Sequence, residues 1–527
     1  MKIQKLAISC VLLSSLCFGP TQLRALEQLP YKQNKVRVWD KKYDKPKANK
    51  PQVNKPKVNK LNDNECPPPH HSSSSSSSSS THRHRSHHSC PSCKPPVKIT
   101  HVPYTIRKDG KYCVDRDLLY NGSSAAITIV ASNVNLNFNN HNLTITDPNA
   151  SGILIDGQSE IDIENDAISY TTRSSVDGTA AIKILNSEKV SVDNILMHNA
   201  FDGIFAQNSS DIRVTKSRWT ECFGSALHCD TCRSVFVEDS TSENTADDFL
   251  RAGIFIGANS QGIYFNTLSL HNTDIFLTTG RDAIIENSNI FIDDPNYPFT
   301  GLQFGSTADQ TAFWEQAIVR NCTISVLPGA GTNTSANASA ITRASGILYE
   351  NCLLECNTGG VEGGESAVLS IGANLPAFQQ QADCHNVRIV NCVLQNLGQT
   401  QFGVLVDATT DAPNSGIVLD DCSVAGAIVA DVKVAHTESS VIKNSNITDS
   451  FGDGIVFGDN ALSNSLMQNT ISNNCSRAIY LGSGSTNNIV QNNTILHNGD
   501  DIINDGTNNL LIGNTEFSNN LVCDAAS

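Results

Sequence analysis

The chain has 527 residues and a formal net charge of −15, with 37 Lys and Arg against 52 Asp and Glu. Aromatic residues make up only 6%. An acidic body of this kind lacks the basic surface that phosphate backbones require, which excludes nucleic acid as a partner.

Residues 1–25 read as a secretory signal. Lys2 and Lys5 supply a charged start, Leu6–Phe18 a short apolar run, and Ala25 a cleavage edge. That run is too short to span a bilayer comfortably, and no other stretch is long and apolar enough to do so. The sequence therefore predicts an exported, extracytoplasmic protein.

Residues 26–100 form a different material. Lys-Pro near-repeats run from Lys45 to Lys60, followed by Cys66, nine serines at 72–80 and a His/Cys tract. Before residue 100 there are 18 Lys and Arg against 5 Asp and Glu; after it, 19 against 47. Such a Pro-, Lys- and Ser-rich segment cannot bury a core, so a disordered basic linker is expected. Its side chains His82, His84, His87, His88, Cys90 and Cys93 are donors suited to Zn, Ni or Cu, and they are the candidate metal ligands. Without a fold around them they supply no fixed coordination geometry.

From residue 101 onward the chain repeats. One phrase returns: an apolar residue, a spacer, Asn or a substitute, two more residues, then another apolar residue. Its third position runs through Asn165, Asn194, Lys216, Asp239, Thr267, Asn287, Asn321, Asn351, Asn391, Asp421, Asn444, Gln468, Asn492 and Asn514. The modal step is near 23 residues, and apolar residues alternate within short runs such as Ile212 to Val214. Alternation of this kind marks half-buried strands, and a fixed period of this size marks a solenoid. At least 14 coils follow, stacked over roughly 65–75 Å at the usual ~4.8 Å strand spacing. The Asn column is expected to form a hydrogen-bonded ladder inside the stack. The next position carries Cys322, Cys352, Cys392 and Cys422 on four successive coils. These read as buried thiols that pack as small hydrophobes. Longer steps place insertions at 295–315, 329–345 and 357–383.

This repeat, with the opening segment Tyr104–Asp147, resembles the right-handed parallel β-helices of the pectin-lyase-like superfamily. The fold class is all-β: a right-handed parallel β-helix over residues 101–527, preceded by a signal peptide and a disordered linker. The superfold hosts lyases, hydrolases, epimerases and binding modules, so the resemblance implies an architecture and no single activity.

One acidic constellation could carry chemistry. Asp202, Gly224 and Asp247 occupy equivalent rung positions, so Asp202, His228, Asp247, Asp248 and Arg251 could gather on one face. A polysaccharide lyase would use the carboxylates to hold Ca²⁺ and an Arg to remove a proton; a hydrolase needs two carboxylates in opposite protonation states. Asp-Gly before a strand is also ordinary turn chemistry, and it recurs at Asp453-Gly454. Asn272-Thr273-Asp274 and Asp293-Asp294 resemble two polygalacturonase motifs, but the Gly-His-Gly and Arg-Ile-Lys that complete that set are absent. Of the body tryptophans, Trp219 is expected in the core and Trp314 on a loop, where it could stack on a sugar.

Two functions therefore follow from the sequence. The preferred one is an exported, monomeric rod that binds a carbohydrate or cell-surface polymer. The alternative is a polysaccharide lyase, hydrolase or epimerase using the Asp/His/Arg cluster. The first is preferred because no enzyme family's complete catalytic set is present.

Overall fold

The computed structural model describes residues 95–527 except 176, 245–252, 258, 295–299, 306–312, 328–336, 358–365, 373–383, 399, 409–412, 518–520, 522 and 524–527. The predicted signal and linker lie outside the described residues, apart from the linker's last six positions.

Every helix or strand among the described residues is a strand, and every strand pair is parallel. One sheet has 16 strands, running from Tyr104–Ile106 to Asp500–Asn504, with one strand per coil. The other strands form a 31-stranded sheet and a short three-stranded one. Sixteen coils thus stand where at least 14 were expected. The two extra coils are the first two, whose strands Tyr104–Ile106 and Ile127–Ile129 precede Asn165. Leu302–Phe304 and Ala367–Ile371 are regular sheet strands within the segments read as insertions.

Register explains why the coils stack. Ile182, Ile204, Leu227, Ile254, Ile275 and Leu302 lie directly over one another, facing inward and fully buried. Each such side chain contributes about 1.5–3 kcal/mol through burial, and no coil could supply that alone. Trp219 and Trp314 are both fully buried. The loop position expected for Trp314 is thereby corrected: it opens strand Trp314–Arg320 and packs 6.5 Å from the Phe304 ring.

The Asn column also differs from expectation. From Asn165 to Asn492 its members adopt left-handed backbone, with φ between 49° and 64°. Asn tolerates that region better than other side chains, which is why it recurs at the corner of each coil. The ladder exists, but on the outer surface. Asn194, Asn321, Asn351 and Asn391 donate side-chain hydrogen bonds to Asn165, Asn287, Asn321 and Asn351 at 3.2, 3.3, 3.4 and 2.7 Å. The buried ladder is one residue further on. There Asn469, Asn493 and Asn514 connect in series, each side-chain oxygen accepting the backbone N–H of the coil before. Asn514 therefore belongs to the inner column, and Gly513, at φ 62°, takes the last corner. A disulfide, Cys475–Cys523, ties the C-terminal segment to the final coils, a pairing the sequence had left open.

Candidate binding site on the coil surface

Strand Leu227–Asp230 carries His228 on its outward side, in register with Phe205 on one neighbouring coil and Phe255 on the other. The imidazole sits edge-to-face between those rings, with centroids at 4.9 and 5.0 Å. Its Nδ1 lies 3.6 Å from an Asp202 carboxylate oxygen and its Nε2 lies 3.3 Å from Asp230. Burial disfavours charge on the ring, but the Asp202 and Asp230 carboxylates more than offset it and raise His228 to about 9. At neutral pH the ring is an imidazolium, and only 7% of its side chain is exposed.

Asp202 is wholly buried, and its other oxygen accepts the Ser225 backbone N–H at 2.8 Å. The structure thus brings Asp202 and His228 together, in a charge-compensated nest beneath the surface. A ring that already holds its proton cannot act as a general base near neutral pH. Asp247, Asp248 and Arg251 lie outside the described residues, as do His82, His84, His87, His88, Cys90 and Cys93.

The polygalacturonase-like pair is also placed. Asn272, Thr273 and Asp274 are all buried. The Asp274 carboxylate accepts the Gly253 N–H at 2.6 Å, and the Asn272 side-chain oxygen accepts the N–H groups of Asp293 and Asp294. These bonds hold turns. Among the described residues no group of three His, Cys, Asp or Glu side chains could hold a metal ion.

Two hollows lie elsewhere among the described residues, on the 31-stranded sheet. Phe236, Tyr264, Ile284, Ile318 and Leu348 lie in register on the outer face of five consecutive coils. They floor a cavity of about 510 Å³. Alongside is a polar hollow of about 390 Å³ lined by Asn259, Gln261, Arg281 and Glu315. Between the two runs a corner of left-handed residues, Gly262, Asp282, Gln316 and Gly346. The two glycines line the cavity and project no side chain into it.

The rim is polar. Arg213 pairs with Glu238 at 2.8 Å. The Glu286 carboxylate accepts from both the Tyr264 hydroxyl and Arg320, bonds that hold it below the usual carboxylate range. The same Glu286 contact pushes the Tyr264 hydroxyl up to about 12, so it remains a donor. In the hollow, Arg281 donates twice to the Gln261 side-chain oxygen, at 3.1 and 2.9 Å.

The sequence carried a signal for this floor. Each of its five residues stands three positions before a corner residue: Asp239, Thr267, Asn287, Asn321 or Asn351. On the flanking coils the same position holds Arg213 and Arg388.

Residues 125–290 match the model of the right handed beta helix region. This is a right-handed parallel β-helix. Residues 361–525 of the β-helix also match the model described as periplasmic copper-binding protein (NosD). No curated protein matches the sequence. Among solved structures the β-helix is similar to the A-module of mannuronan C-5 epimerase AlgE6 from Azotobacter vinelandii. Identity is 11%, over 78% of this chain and 90% of that one, with a TM-score of 0.36. It is similar to tailspike protein 3 of bacteriophage CBA120, with 12% identity over 78% of this chain and a TM-score of 0.35. The match spans 56% of that tailspike. A tailspike protein of E. coli bacteriophage HK620, solved with a hexasaccharide, is 14% identical over 77% of this chain and 73% of its own, with a TM-score of 0.41. No helix among the described residues is long and apolar enough to cross a membrane.

Proposed function

We propose that this is an exported β-helix that binds an extended, neutral glycan along the groove floored by Phe236, Tyr264, Ile284, Ile318 and Leu348. The observation that carries the reading is that floor: five consecutive coils present large apolar side chains outward, on a surface where a soluble rod has no need of them. Four coil spacings of about 4.8 Å give a track of roughly 19 Å, long enough for several sugar rings. Apolar residues suit the C–H faces of sugars, and the rim pairs suit their hydroxyls.

Charge favours a neutral ligand. Around the groove Arg213, Arg281 and Arg320 are outnumbered by Glu238, Asp282, Glu286, Glu315 and Glu350, and residues after 100 carry 47 acidic against 19 basic side chains. A polyuronate would be repelled. The extracytoplasmic setting is supported by the signal-like start and by the C-terminal match to a family described as periplasmic. An enzymatic role for Asp247, Asp248 and Arg251 is the competing reading, and the buried imidazolium of His228 does not favour it.

The test is titration of the protein against neutral glycans and polyuronates, with reducing ends and unsaturated products followed in parallel. Binding without turnover is expected. Tyr264→Ala and Ile318→Ser are each expected to weaken it about tenfold, the cost of roughly 1.4 kcal/mol of contact. Binding that is equal in both variants, or turnover in the wild type, would overturn the proposal.

A further inference from the structure

The polar hollow stands beside the groove floor, not in line with it. The floor takes one residue from each coil, so it runs along the stacking direction. The hollow is reached by moving along the strands instead. Gln261, Arg281 and Glu315 precede the corner residues Gly262, Asp282 and Gln316, whereas the floor residues Tyr264, Ile284 and Ile318 follow them. A unit seated in the hollow therefore leaves the track sideways.

The lining suits a sugar. Arg281 donates hydrogen bonds, the Glu315 carboxylate accepts them, and Asn259, Gln261 and Thr279 do both, as sugar hydroxyls do. Phe313 is half-buried and adds one apolar ring, and its backbone oxygen accepts the Gly280 N–H at 3.1 Å. Arg281 is the single cation among the described lining residues. It is the register neighbour of Glu315 and lies 3.8 Å from Asp282. An anionic substituent would meet both carboxylates, so the unit that fits is uncharged. The volume of about 390 Å³ is near the lower end of small-ligand sites, which suits one or two sugar rings.

The way from groove to hollow crosses the corner, and it is open at one coil. Asp282 and Gln316 place side chains on that ridge, and so does Ser234. Gly262, in register between Ser234 and Asp282, places none. It is exposed, lines the groove, and directly follows Gln261 of the hollow. Its left-handed backbone, at φ 67°, does not by itself demand glycine. The same column holds Ser234 at φ 53° and, in register with Gly346, Asn386 at φ 54°. Packing does not demand it either, since a side-chain carbon at 262 would come no nearer than 3.4 Å to its neighbours. What the glycine leaves is a gap in the ridge.

We infer that the groove's ligand is a branched neutral glycan, whose main chain lies on the apolar floor and whose short branch crosses Gly262 into the hollow. The inference rests on the glycan reading of the groove. The test titrates the full chain with matched pairs of neutral oligosaccharides: cello-oligosaccharides beside xylose-branched xyloglucan oligosaccharides, and manno-oligosaccharides beside galactose-branched ones. In at least one pair the branched member is expected to bind about tenfold more tightly. The readout is the ratio of the two affinities within one preparation. Gly262→Asn fills the gap with a residue that this column already accepts, and is expected to bring the ratio to about one. Glu315→Ala, at an exposed position inside the hollow, is expected to lower it severalfold. Branched and linear members bound equally by the wild type, or a ratio unchanged in both variants, would overturn the inference and leave the groove reading standing. Failure to bind any neutral glycan would overturn the groove reading and this inference with it.

Discussion

The nest around His228 makes a stability prediction whose sign and size both follow from the structure. The ring's pKa is about 9 in the folded protein, against an ordinary 6.5. A group raised on folding stabilises the fold fully below its unfolded value and loses that contribution as pH climbs through its folded value. The window is therefore about pH 6.5 to 9. The difference corresponds to roughly 3 kcal/mol at about 1.4 kcal/mol per unit, and the near-complete burial of the ring leaves little solvent screening to discount. His228→Gln removes the charge while keeping a polar side chain of similar reach. Amide exchange across strand Leu227–Asp230 reads the local stability, which in a solenoid is more informative than a global melt. At pH 6 the wild type should be protected by roughly 3 kcal/mol more than the variant, plus whatever packing the ring supplies. By pH 10 only the packing part should remain. Comparing wild type with variant at each pH cancels the titration of groups that do not interact with the ring; the Asp202 and Asp230 carboxylates, which do, are part of the charge effect being measured. A difference that is the same at pH 6 and pH 10 would refute the charge-compensation account and leave His228 as a packing residue between Phe205 and Phe255.

Two further substitutions probe the interior. Asp431 is wholly buried, has one oxygen on the Ala427 N–H at 3.0 Å and the other without a partner, and burial pushes its carboxyl well above the usual range. For an acid raised on folding, stability falls as pH rises above the unfolded value. Asp431→Asn should therefore stabilise the protein at pH 7, by roughly 1–3 kcal/mol, and lose that advantage near pH 4. Urea titrations at the two pH values check this, and an Asn variant less stable at pH 7 would count against it. Gly305 has φ 76°, and a side-chain carbon there would lie 1.5 Å from the Thr342 carbonyl oxygen. Gly305→Ala should cost several kcal/mol and lower the thermal midpoint sharply. An unchanged midpoint would mean that the backbone at Thr342 yields.

Architecture was legible because a solenoid writes the same physical requirement many times. Every corner needs a residue that tolerates left-handed backbone, so Asn, Asp and their substitutes recur at intervals that can be counted. What the column could not show was which way it faced. A hydrogen-bonded Asn ladder satisfies itself equally well inside or outside, and only the buried Ser and Cys at the next position reveal the true inner face. The same ambiguity misplaced Asn514 by one residue, since either Gly513 or Asn514 could turn the corner.

The candidate site was harder, for a different reason. The reading of Asp202 and His228 followed residue types that catalysis favours, and those types also build buried charge pairs. Composition cannot separate the two uses; the solvent-accessible edge of the ring decides it, and that depends on Phe205 and Phe255 from neighbouring coils. The groove was the reverse case. Phe236, Tyr264, Ile284, Ile318 and Leu348 look like core residues when each strand is read alone. They become conspicuous only when counted from the corner, where each proves to point outward while Arg213 and Arg388 hold the same rung on either side. In a repeat protein, function is therefore best sought in departures from the column, such as apolar residues where other coils place polar ones.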